Sequence, residues 1–420
     1  MYVSYLVITL WVRHIANPPT SDYHCASMSP LPDYNSTLAY IEDYWPKLTF
    51  SHPQDKGIII GLPNPFIAPS PAEGNYASDQ FYWDSYTIIL GLVASGKGEL
   101  AKGMVDNFLY LYRRFGIIPS RNRFYNLGMS QPPFLTSMIR EIFNATQDKN
   151  WLAQAAEVAE SELENYWMDK KAARAEKHLV FQGLSRYCDH YVMHLTAEHE
   201  SGWDMTSRFD ERCLDFLPVD LNCLLYKYET DLSDIYGLLG NGEKRDHYVK
   251  QAKQRQATMN KLMWNSRKGF FFDYDYAHNR RGAFYSTAGF HPLWAKLATL
   301  AQAEKVRRNL KKFEYAHGLA NTQKNGLSKN FNQHDYPNGW PHQQWIVVQG
   351  LLNYGFKEDV KRIAEKWLDL NHRLLKKTGH LWEKYNVVTG EIGKADRYPT
   401  QKGFGWTNAV FVKLAQLLTQ

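Results

Sequence analysis

Apolar residues recur at helical spacing along almost the whole chain from Asn35 onward. This spacing is typical of helices that bury one face, so the pattern predicts a mostly helical protein. Residues 1–34 show no sustained period and are rich in Pro, Ser and Tyr, which indicates an extended N-terminal arm before a single domain of 35–420. Twelve helices are predicted, at 36–46, 80–95, 98–115, 132–146, 148–168, 218–239, 243–264, 288–299, 301–315, 341–354, 357–376 and 405–418.

Every second predicted helix begins with a cluster of aromatic and polar residues, whereas its partner opens with ordinary amphipathic sequence. Pro at an early helical position, with Asp, Ser or Asn just before it, marks a helix start. Short loops make neighbouring helices antiparallel, so the six rich starts would point the same way. The clusters lie at 82–85, 130–133, 218–222, 286–289, 335–340 and 403–408.

This arrangement predicts an all-α fold, a closed (α/α)6 toroid in which six outer helices surround six inner ones. The functional loops would lie on one face, beside the amide groups of the helix starts. An open α-solenoid is the alternative, but its repeats would share one period, and the spacings here vary. The longest interruption, about 169–217, shows no helix of its own and is predicted to be functional. An alternating run at 270–276 indicates a small hairpin with its neighbourhood.

The composition of this 420-residue chain favours some classes of binding partner over others. Aromatic residues form 15% of it, with 27 Tyr and 13 Trp, and their flat rings suit a sugar-binding cleft as well as a core. The net charge of +6 comes from mixed-sign runs such as 305–312, which are typical of solvated helix faces, so no nucleic-acid partner is expected. No apolar run approaches the ~18 residues of a membrane span. We expect a small sugar as partner and a monomer or weak homo-oligomer.

The number and spacing of the cysteines indicate the cellular compartment of the protein. Cys25, Cys188, Cys213 and Cys223 form no CxxC pair and no dense disulfide framework, which fits a reducing environment. Residues 2–12 are apolar, but no basic region precedes them and no clear cleavage site follows. The sequence therefore predicts a cytoplasmic protein.

Metal and nucleotide sites are not indicated. His190 and His194 stand four residues apart and His199 follows, but no Glu follows His190, so surface or core histidines are the better interpretation. The glycines of 237–242 are in the wrong order for a nucleotide-binding loop, and they fall where a helix ends. We predict neither a metal nor a cofactor.

Carboxyl groups beside aromatic residues indicate a different chemistry. Hydrolysis of a glycosidic bond needs one carboxylic acid to protonate the leaving oxygen and one carboxylate to attack or to activate water. Asp204 follows Trp203 on a small-residue turn, and an apolar ring disfavours the charged form of a nearby acid. Glu383 precedes a lysine that favours an ionised carboxylate. The alternatives are that Asp204 caps a helix and that Glu383 forms a surface ion pair with the lysine that follows it. The residues alone do not choose among the five candidate carboxyl groups, which are Asp84, Glu200, Asp204, Asp335 and Glu383.

Eight stretches, in order along roughly 60–412, together resemble the trehalase family of glycoside hydrolases. They are 81–86 (FYWDSY), 118–119 (IP) with 122–123 (NR), 130–134 (SQPPF), 201–204 (SGWD) with 207–208 (SR), 218–222 (PVDLN), 335–340 (DYPNGW), 383–385 (EKY) and 403–408 (GFGWTN). The resemblance implies an (α/α)6 barrel that inverts the anomeric centre without a metal, with Asp204 as general acid and Glu383 as general base. The implied substrate contacts are Trp83, Asp84, Asn122, Gln131, Arg186, Gly202 and Trp340.

Several positions depart from that family. Residues 76–79 (YASD) replace Arg-Phe-Arg-Glu, 187–190 (YCDH) replace a Pro-Glu-Ser-Trp segment, Met129 replaces an Arg, and Arg397 replaces a Glu. Both catalytic carboxylates are present, so the changes are expected to remodel the leaving-group side. A guanidinium binds a carboxylate through two hydrogen bonds, and Arg397 with Arg186 would suit an anionic aglycone such as glycerate. The alternative is that Arg397 points to solvent.

The predicted function is inverting hydrolysis of α,α-trehalose to two glucoses. Hydrolysis of another small α-glucoside, such as glucosylglycerate or glucosylglycerol, is the alternative. A non-catalytic sugar-binding homologue is less favoured because both carboxylates are retained, and a structural scaffold would not need polar clusters at helix starts. An inverting enzyme leaves room for a water molecule, so we expect Asp204 and Glu383 to lie about 6.5–9.5 Å apart.

Overall fold

A computed structural model describes residues 33–74, 78–171, 176–324, 332–394 and 398–419. Tyr34–Gln420 forms one compact unit, and the predicted arm of 1–34 lies almost entirely outside the described residues. Thirteen α-helices lie within the described residues: α1 (Asn35–Leu48), α2 (Tyr82–Ala94), α3 (Gly98–Phe115), α4 (Leu135–Thr146), α5 (Lys149–Glu162), α6 (His194–Glu200), α7 (Val219–Leu238), α8 (Gly242–Leu262), α9 (His291–Trp294), α10 (Leu300–Arg307), α11 (Pro341–Asn353), α12 (Lys357–Thr378) and α13 (Gly405–Thr419).

The same parts of the chain contain fourteen strands of two or three residues: β1 (Thr49–Phe50), β2 (Phe66–Ile67), β3 (Leu179–Phe181), β4 (Leu184–Ser185), β5 (Phe216–Leu217), β6 (Trp264–Asn265), β7 (Phe270–Phe271), β8 (Tyr274–Asp275), β9 (Arg280–Arg281), β10 (Glu314–Tyr315), β11 (Gly318–Leu319), β12 (Asn338–Gly339), β13 (Tyr385–Asn386) and β14 (Glu391–Ile392). They pair antiparallel in the orders β1-β2, β3-β4, β5-β8-β9, β6-β7, β10-β11 and β12-β13-β14. The alternating run at 270–276 supplies β7 and β8, and each pairs with a neighbouring strand as predicted.

Six helices form a closed inner ring. In the order α2, α4, α7, α9, α11 and α13, each packs against the next, and α13 packs against α2. Inner helices are buried on most sides, and α2 buries every residue from Tyr82 to Leu92. Outer helices are amphipathic, as in α12, whose buried face includes Val360, Ile363 and Trp367. The ring confirms the predicted (α/α)6 barrel and its six inner helices. None of the helices described is long and apolar enough to cross a membrane.

The ring closes where α2 meets α13. Gly91 of α2 faces Ala409 of α13 so closely that a Cβ on the glycine would lie 2.5 Å from both the Cα and the Cβ of Ala409. A hydrogen atom is therefore the largest side chain that fits at position 91, and the two helices approach backbone to backbone.

Each of the twelve predicted helices has a counterpart. Several are a few residues shorter than predicted, and the two discussed here, at 288–299 and 301–315, are much shorter. The helix predicted at 288–299 is a 3-10 turn at Thr287–Phe290 followed by α9, and Lys296 then enters the left-handed region at a φ of 56°. The helix predicted at 301–315 is α10, which ends at Arg307. The side-chain Nδ2 of Asn309 donates to the carbonyls of Lys268 and Gly269, a set of bonds that competes with continuing the helix.

The segment at 169–217 contains a helix that its periodicity does not show. After the hairpin of β3 and β4 comes α6, so the expectation of a segment without a helix was wrong. On α6, Leu195 is 51% exposed, whereas Glu198 and Glu200 are buried. Because this inverts the usual burial of apolar and polar residues, no amphipathic period marks the helix.

Candidate active site

A cavity of about 270 Å³ lies at the N-terminal ends of the inner helices. The starts of α2, α11 and α13 contribute to its wall, together with the loops that precede α4, follow α6 and surround Glu383. Both predicted catalytic carboxylates therefore face one cavity, although they lie far apart in the sequence. The predicted site residues that line it are Trp83, Asp84, Gln131, Gly202, Asp204, Trp340 and Glu383.

The turn around Gly202 sets Asp204 against the cavity. Gly202 has a φ of 73°, and a Cβ at this position would lie 1.8 Å from Cζ3 of Trp83, so only glycine fits. The next residue, Trp203, is 1% exposed, and its indole N–H donates to Oδ2 of Asp220 at 2.9 Å. The turn is therefore held from two sides, because the Trp83 ring of α2 contacts Gly202 and the Asp220 carboxylate of α7 binds Trp203.

A buried ion network supports this turn. The Arg208 guanidinium donates to the Asp220 carboxylate at 2.6 and 2.8 Å and to the Asp273 carboxylate at 2.6 and 2.7 Å. Its Cζ also lies 4.9 Å from the centre of the Trp203 ring. All of these side chains are buried, so removal of one charge would leave another uncompensated in the interior. The network anchors the loop that carries Asp204.

Glu383 is held by two side chains. Its Oε2 accepts a hydrogen bond from Nζ of Lys384 at 2.7 Å, and its Oε1 accepts one from the Tyr398 hydroxyl at 2.8 Å. The side chains of Lys384 and Glu383 are 0% and 1% exposed, so this ion pair is shielded from solvent. Nζ of Lys384 also lies 4.8 Å from the centre of the Trp340 ring. A fixed carboxylate whose charge is balanced is suited to accept a proton from water.

Asp84, in the first turn of α2, adds a third carboxyl group to the cavity. Burial raises the pKa of Asp84 to about 8, and the negative charges of Glu383 and Asp204 contribute to the rise. A carboxyl group whose pKa is raised in this way can keep its proton near neutral pH and donate a hydrogen bond. A sugar hydroxyl is a suitable acceptor for that bond.

Aromatic rings form much of the remaining wall. Trp340 stacks on His334, with ring centres 4.0 Å apart and planes 7° from parallel. Trp83 meets the ring of His342 edge-on at 4.4 Å. Burial lowers the pKa of both histidines well below their usual value, so both rings are neutral. Flat apolar surfaces beside a few polar groups are typical of small-molecule sites.

Several residues at the cavity were not predicted from the sequence. Arg121, His199, His334 and Tyr398 line it. A signal existed for two of them, because His334 directly precedes the cluster at 335–340 and Arg121 lies between two matched stretches. The other two reach the cavity only through tertiary packing.

Asn122 was predicted to contact sugar, but it does not line the cavity. It is fully buried, its Nδ2 donates to the carbonyl of Ile60 at 3.0 Å, and its Oδ1 accepts from the N–H of Gln80 at 2.8 Å. Both bonds go to the backbone, so Asn122 positions the loop before α2.

Arg186 also lies away from the cavity. Its guanidinium donates to the carbonyls of Lys177 and Leu214 at 3.0 Å and to the hydroxyl of Tyr276 at 2.8 Å. These bonds hold the β3–β4 hairpin against β8 and the turn before β5, so the structure gives Arg186 a role in loop packing. Arg397 lies outside the described residues.

Two of the five candidate carboxylates are structural. Glu200 is fully buried and accepts hydrogen bonds from several groups of the surrounding loops, and Asp335 ties its own loop to that of Asp204. Neither lines the cavity. The donors are the Tyr166 hydroxyl at 2.6 Å and the Cys188 N–H at 2.7 Å for Glu200, and the hydroxyls of Thr206 at 2.8 Å and Ser207 at 2.6 Å for Asp335.

The three histidines near α6 have separate surroundings. His190 packs on the ring of Tyr191, Nδ1 of His194 accepts from the N–H of Leu214 at 3.2 Å, and His199 lines the cavity. Within the parts of the chain that the structure describes, no cluster of His, Cys, Asp and Glu could hold a metal ion.

Two carboxyl groups face one cavity, and burial raises the pKa of a third, Asp84. With aromatic walls at the mouth of an (α/α)6 barrel, they define the site of a glycosidase. The particular family follows from the sequence as a whole. The trehalase family model matches residues 11–194 and 187–419, and the chain belongs to this family.

The chain is also similar to several solved structures. Neutral trehalase Nth1 from Saccharomyces cerevisiae is 29% identical, with 84% of this chain and 73% of that chain covered and a TM-score of 0.74. The GH63 mannosylglycerate hydrolase from Thermus thermophilus in complex with glucose is 19% identical, with 91% of this chain and 100% of that chain covered and a TM-score of 0.65. The same enzyme in complex with Tris and D-glycerate is 18% identical, with 89% and 98% covered and a TM-score of 0.64. These two likenesses concern the fold alone.

Proposed function

We infer that the protein hydrolyses α,α-trehalose to two glucoses with inversion at the attacked carbon. The observation that carries this proposal is the cavity that Asp204 and Glu383 both line, with the Asp84 carboxyl group beside them. Membership of the trehalase family and the likeness to a yeast neutral trehalase support the choice of substrate.

The residues divide the reaction between them. Asp204 donates a proton to the glycosidic oxygen as the bond to the anomeric carbon breaks, and Glu383 removes a proton from the water that attacks the opposite face. Lys384 and Tyr398 keep Glu383 in place during this step. Asp84 donates to a hydroxyl of the glucose, and Trp83 and Trp340 offer apolar surface to the faces of the ring.

Product stereochemistry tests this mechanism. Inversion converts the attacked half of α,α-trehalose to β-glucose, and the leaving half departs as α-glucose. We expect time-resolved proton NMR of trehalose with the purified protein to show both anomers in equal initial amounts. Initial formation of α-glucose alone would rule out inversion and the role given to Glu383, and an absence of glucose release would rule out trehalose as substrate.

A second candidate substrate is an α-glucoside with an anionic aglycone. Met129 replaces an arginine of the family, but another arginine, Arg121, lines the same cavity. The Arg121 guanidinium lies over the rings of Phe81 and Tyr125, with its carbon 5.3 Å from each ring centre. Asp79 is its only carboxylate partner among the described residues, and Arg123 binds the same carboxylate. Two arginines share one acid, so this corner carries a net positive charge.

Charge complementarity therefore favours a carboxylate on the leaving half of the substrate. The GH63 relative has been solved in complex with Tris and D-glycerate. Arg397 was predicted to bind such an aglycone together with Arg186. Since Arg186 lies away from the cavity and Arg397 lies outside the described residues, Arg121 is the residue on which this second candidate rests.

An Arg121→Gln variant separates the two substrates. If the aglycone is anionic, kcat/KM for glucosylglycerate should exceed that for trehalose and glucosylglycerol, and the variant should lower it about 10- to 100-fold, as expected for loss of a hydrogen bond to a charged group. Arg123→Gln is the matched control, because Arg123 shares Asp79 but does not line the cavity. Arg397→Ala would be measured alongside. A tenfold or larger preference for trehalose that Arg121→Gln does not change would eliminate the anionic aglycone.

A further inference from the structure

Gln333 lies in the wall of the catalytic cavity, beside the proposed general acid. It is 1% exposed, and its side-chain Nε2 donates to the backbone carbonyl of Asp204 at 2.5 Å. A carbonyl oxygen only accepts hydrogen bonds, so the amide nitrogen of Gln333 must be the atom that faces Asp204. The contact therefore fixes the orientation of the amide and leaves Oε1 as its other polar atom.

The segment that carries Gln333 runs beside the loop of Asp204. The next residue, His334, donates its N–H to the carbonyl of Met205 at 3.2 Å. The carboxylate of Asp335 then binds the two residues that follow in the loop. Several bonds other than that of the Gln333 side chain thus join the two segments, so a replacement at position 333 leaves them joined.

The backbone of Gln333 connects to the side of the cavity that holds the proposed base. Its carbonyl accepts from the indole N–H of Trp340 at 2.9 Å. Nζ of Lys384 lies 4.8 Å from the centre of the Trp340 ring and donates to Glu383 at 2.7 Å. The reacting sugar lies between acid and base, so Gln333 is placed beside it.

One polar atom of Gln333 remains without a partner. Its Nε2 and its carbonyl are bonded, whereas Oε1 is buried and accepts no hydrogen bond from any residue that the structure describes. Among the described residues with such an unpaired buried atom, Gln333 is the one that lines the catalytic cavity. Unpaired buried acceptors are unfavourable and rare, and a sugar hydroxyl is a suitable donor.

We propose that Gln333 is a substrate-binding residue whose Oε1 accepts a hydrogen bond from a glucose hydroxyl while its Nε2 holds the backbone of Asp204. One side chain thereby links the bound sugar to the position of the general acid. The inference rests on the sugar-binding function proposed for the cavity. It applies to both candidate substrates, because each contains glucose.

Binding of glucose and of the four deoxyglucoses, each of which lacks one hydroxyl other than the anomeric one, tests the contact without turnover. A buried acceptor discriminates against a ligand that lacks its donor, so one derivative should lose about 3- to 10-fold in affinity through Gln333. Isothermal titration calorimetry measures each dissociation constant. In Gln333→Met, which has no amide oxygen, the loss for that derivative should shrink to less than about twofold, and the losses for the other three should persist.

Gln333→Glu separates the two bonds of the side chain. It retains an acceptor oxygen, so discrimination against the same deoxyglucose should persist. Both variants lose the N–H that holds Asp204, and kcat on trehalose should fall about tenfold in each. A purely structural role would instead affect all the sugars alike.

Asn332→Ala is the matched control. Asn332 precedes Gln333 and donates to the Ser207 hydroxyl at 3.2 Å, but it does not line the catalytic cavity. Its pattern of affinities across the four derivatives should match that of the wild type. Thermal unfolding of every variant checks that the fold is intact.

The outcomes separate this inference from the proposed reaction. A protein that does not bind glucose, or a Gln333→Met variant whose four losses equal those of the wild type or all change by the same factor, would overturn the role of Gln333. Unchanged kcat in both variants would overturn the link to Asp204. Discrimination through Gln333 in a protein that does not hydrolyse trehalose would overturn the proposed reaction and support the sugar contact.

Discussion

Asp204→Asn and Glu383→Gln are each expected to lower kcat about 10²- to 10⁴-fold, the range attributed to a positioned acid or base. Asparagine cannot give a proton to the glycosidic oxygen, and glutamine cannot take one from water. Both replacements are isosteric, so the turn at Gly202 and the contact of Tyr398 with position 383 can persist. Steady-state kinetics on trehalose, with thermal unfolding to check folding, measures the effect.

Matched controls come from the same loops. Asp210→Asn removes an exposed acid shortly after Asp204, and Glu391→Gln removes one from β14, where the Glu391 side chain is 55% exposed. Both controls should retain wild-type kcat. Near-normal turnover in Asp204→Asn or Glu383→Gln would remove that residue from its proposed role.

Gly202→Ala is expected to lower kcat/KM about 100-fold and to lower the unfolding temperature, because two unfavourable terms coincide at this residue. An alanine at a φ of 73° adds backbone strain of about 1 kcal/mol. Its Cβ would also lie 1.8 Å from the ring of Trp83, far inside the ~3.5 Å separation of carbon atoms in contact. Relief requires movement of the turn that carries Asp204 or of a ring in the cavity wall.

Gly379→Ala isolates the first term, the backbone strain. Gly379 ends α12 with a φ of 75°, and a Cβ there would meet nothing within 4 Å. This control therefore adds similar backbone strain without a clash, and it should leave kcat/KM within about twofold of the wild type. Equal losses of activity in the two variants would show that the Trp83 contact does not hold the turn.

The barrel could be predicted because its signals are local. A helix start can be recognised from a proline, a capping residue and the apolar spacing that follows, and six such starts with similar clusters defined the inner helices. α6 was not predicted because two of its three buried residues are acids, and their partners, such as the Tyr166 hydroxyl for Glu200, come from distant elements. Propensity and periodicity carry no information about such partners.

The site was predicted in part for the same reason. Asp204 and Glu383 were recognised through short motifs, and the structure places both at one cavity. Asn122 and Arg186 belong to similar motifs, yet their polar atoms are occupied by backbone carbonyls and N–H groups of neighbouring loops. The reach of a long polar side chain depends on which acceptors the fold brings near, and a sequence motif does not specify those.

The contact between Gly91 and Ala409 joins segments far apart in the sequence, so the inner ring can close only after both have been synthesised. A ribosome makes α2 early and α13 much later, and domains assemble as the chain emerges. Until α13 is released, the inner ring has a gap and the catalytic cavity lacks the walls supplied by Phe404 and Trp406. The cavity is therefore incomplete until α13 has been synthesised, and closure between distant segments is expected to be slower than the pairing of neighbouring helices.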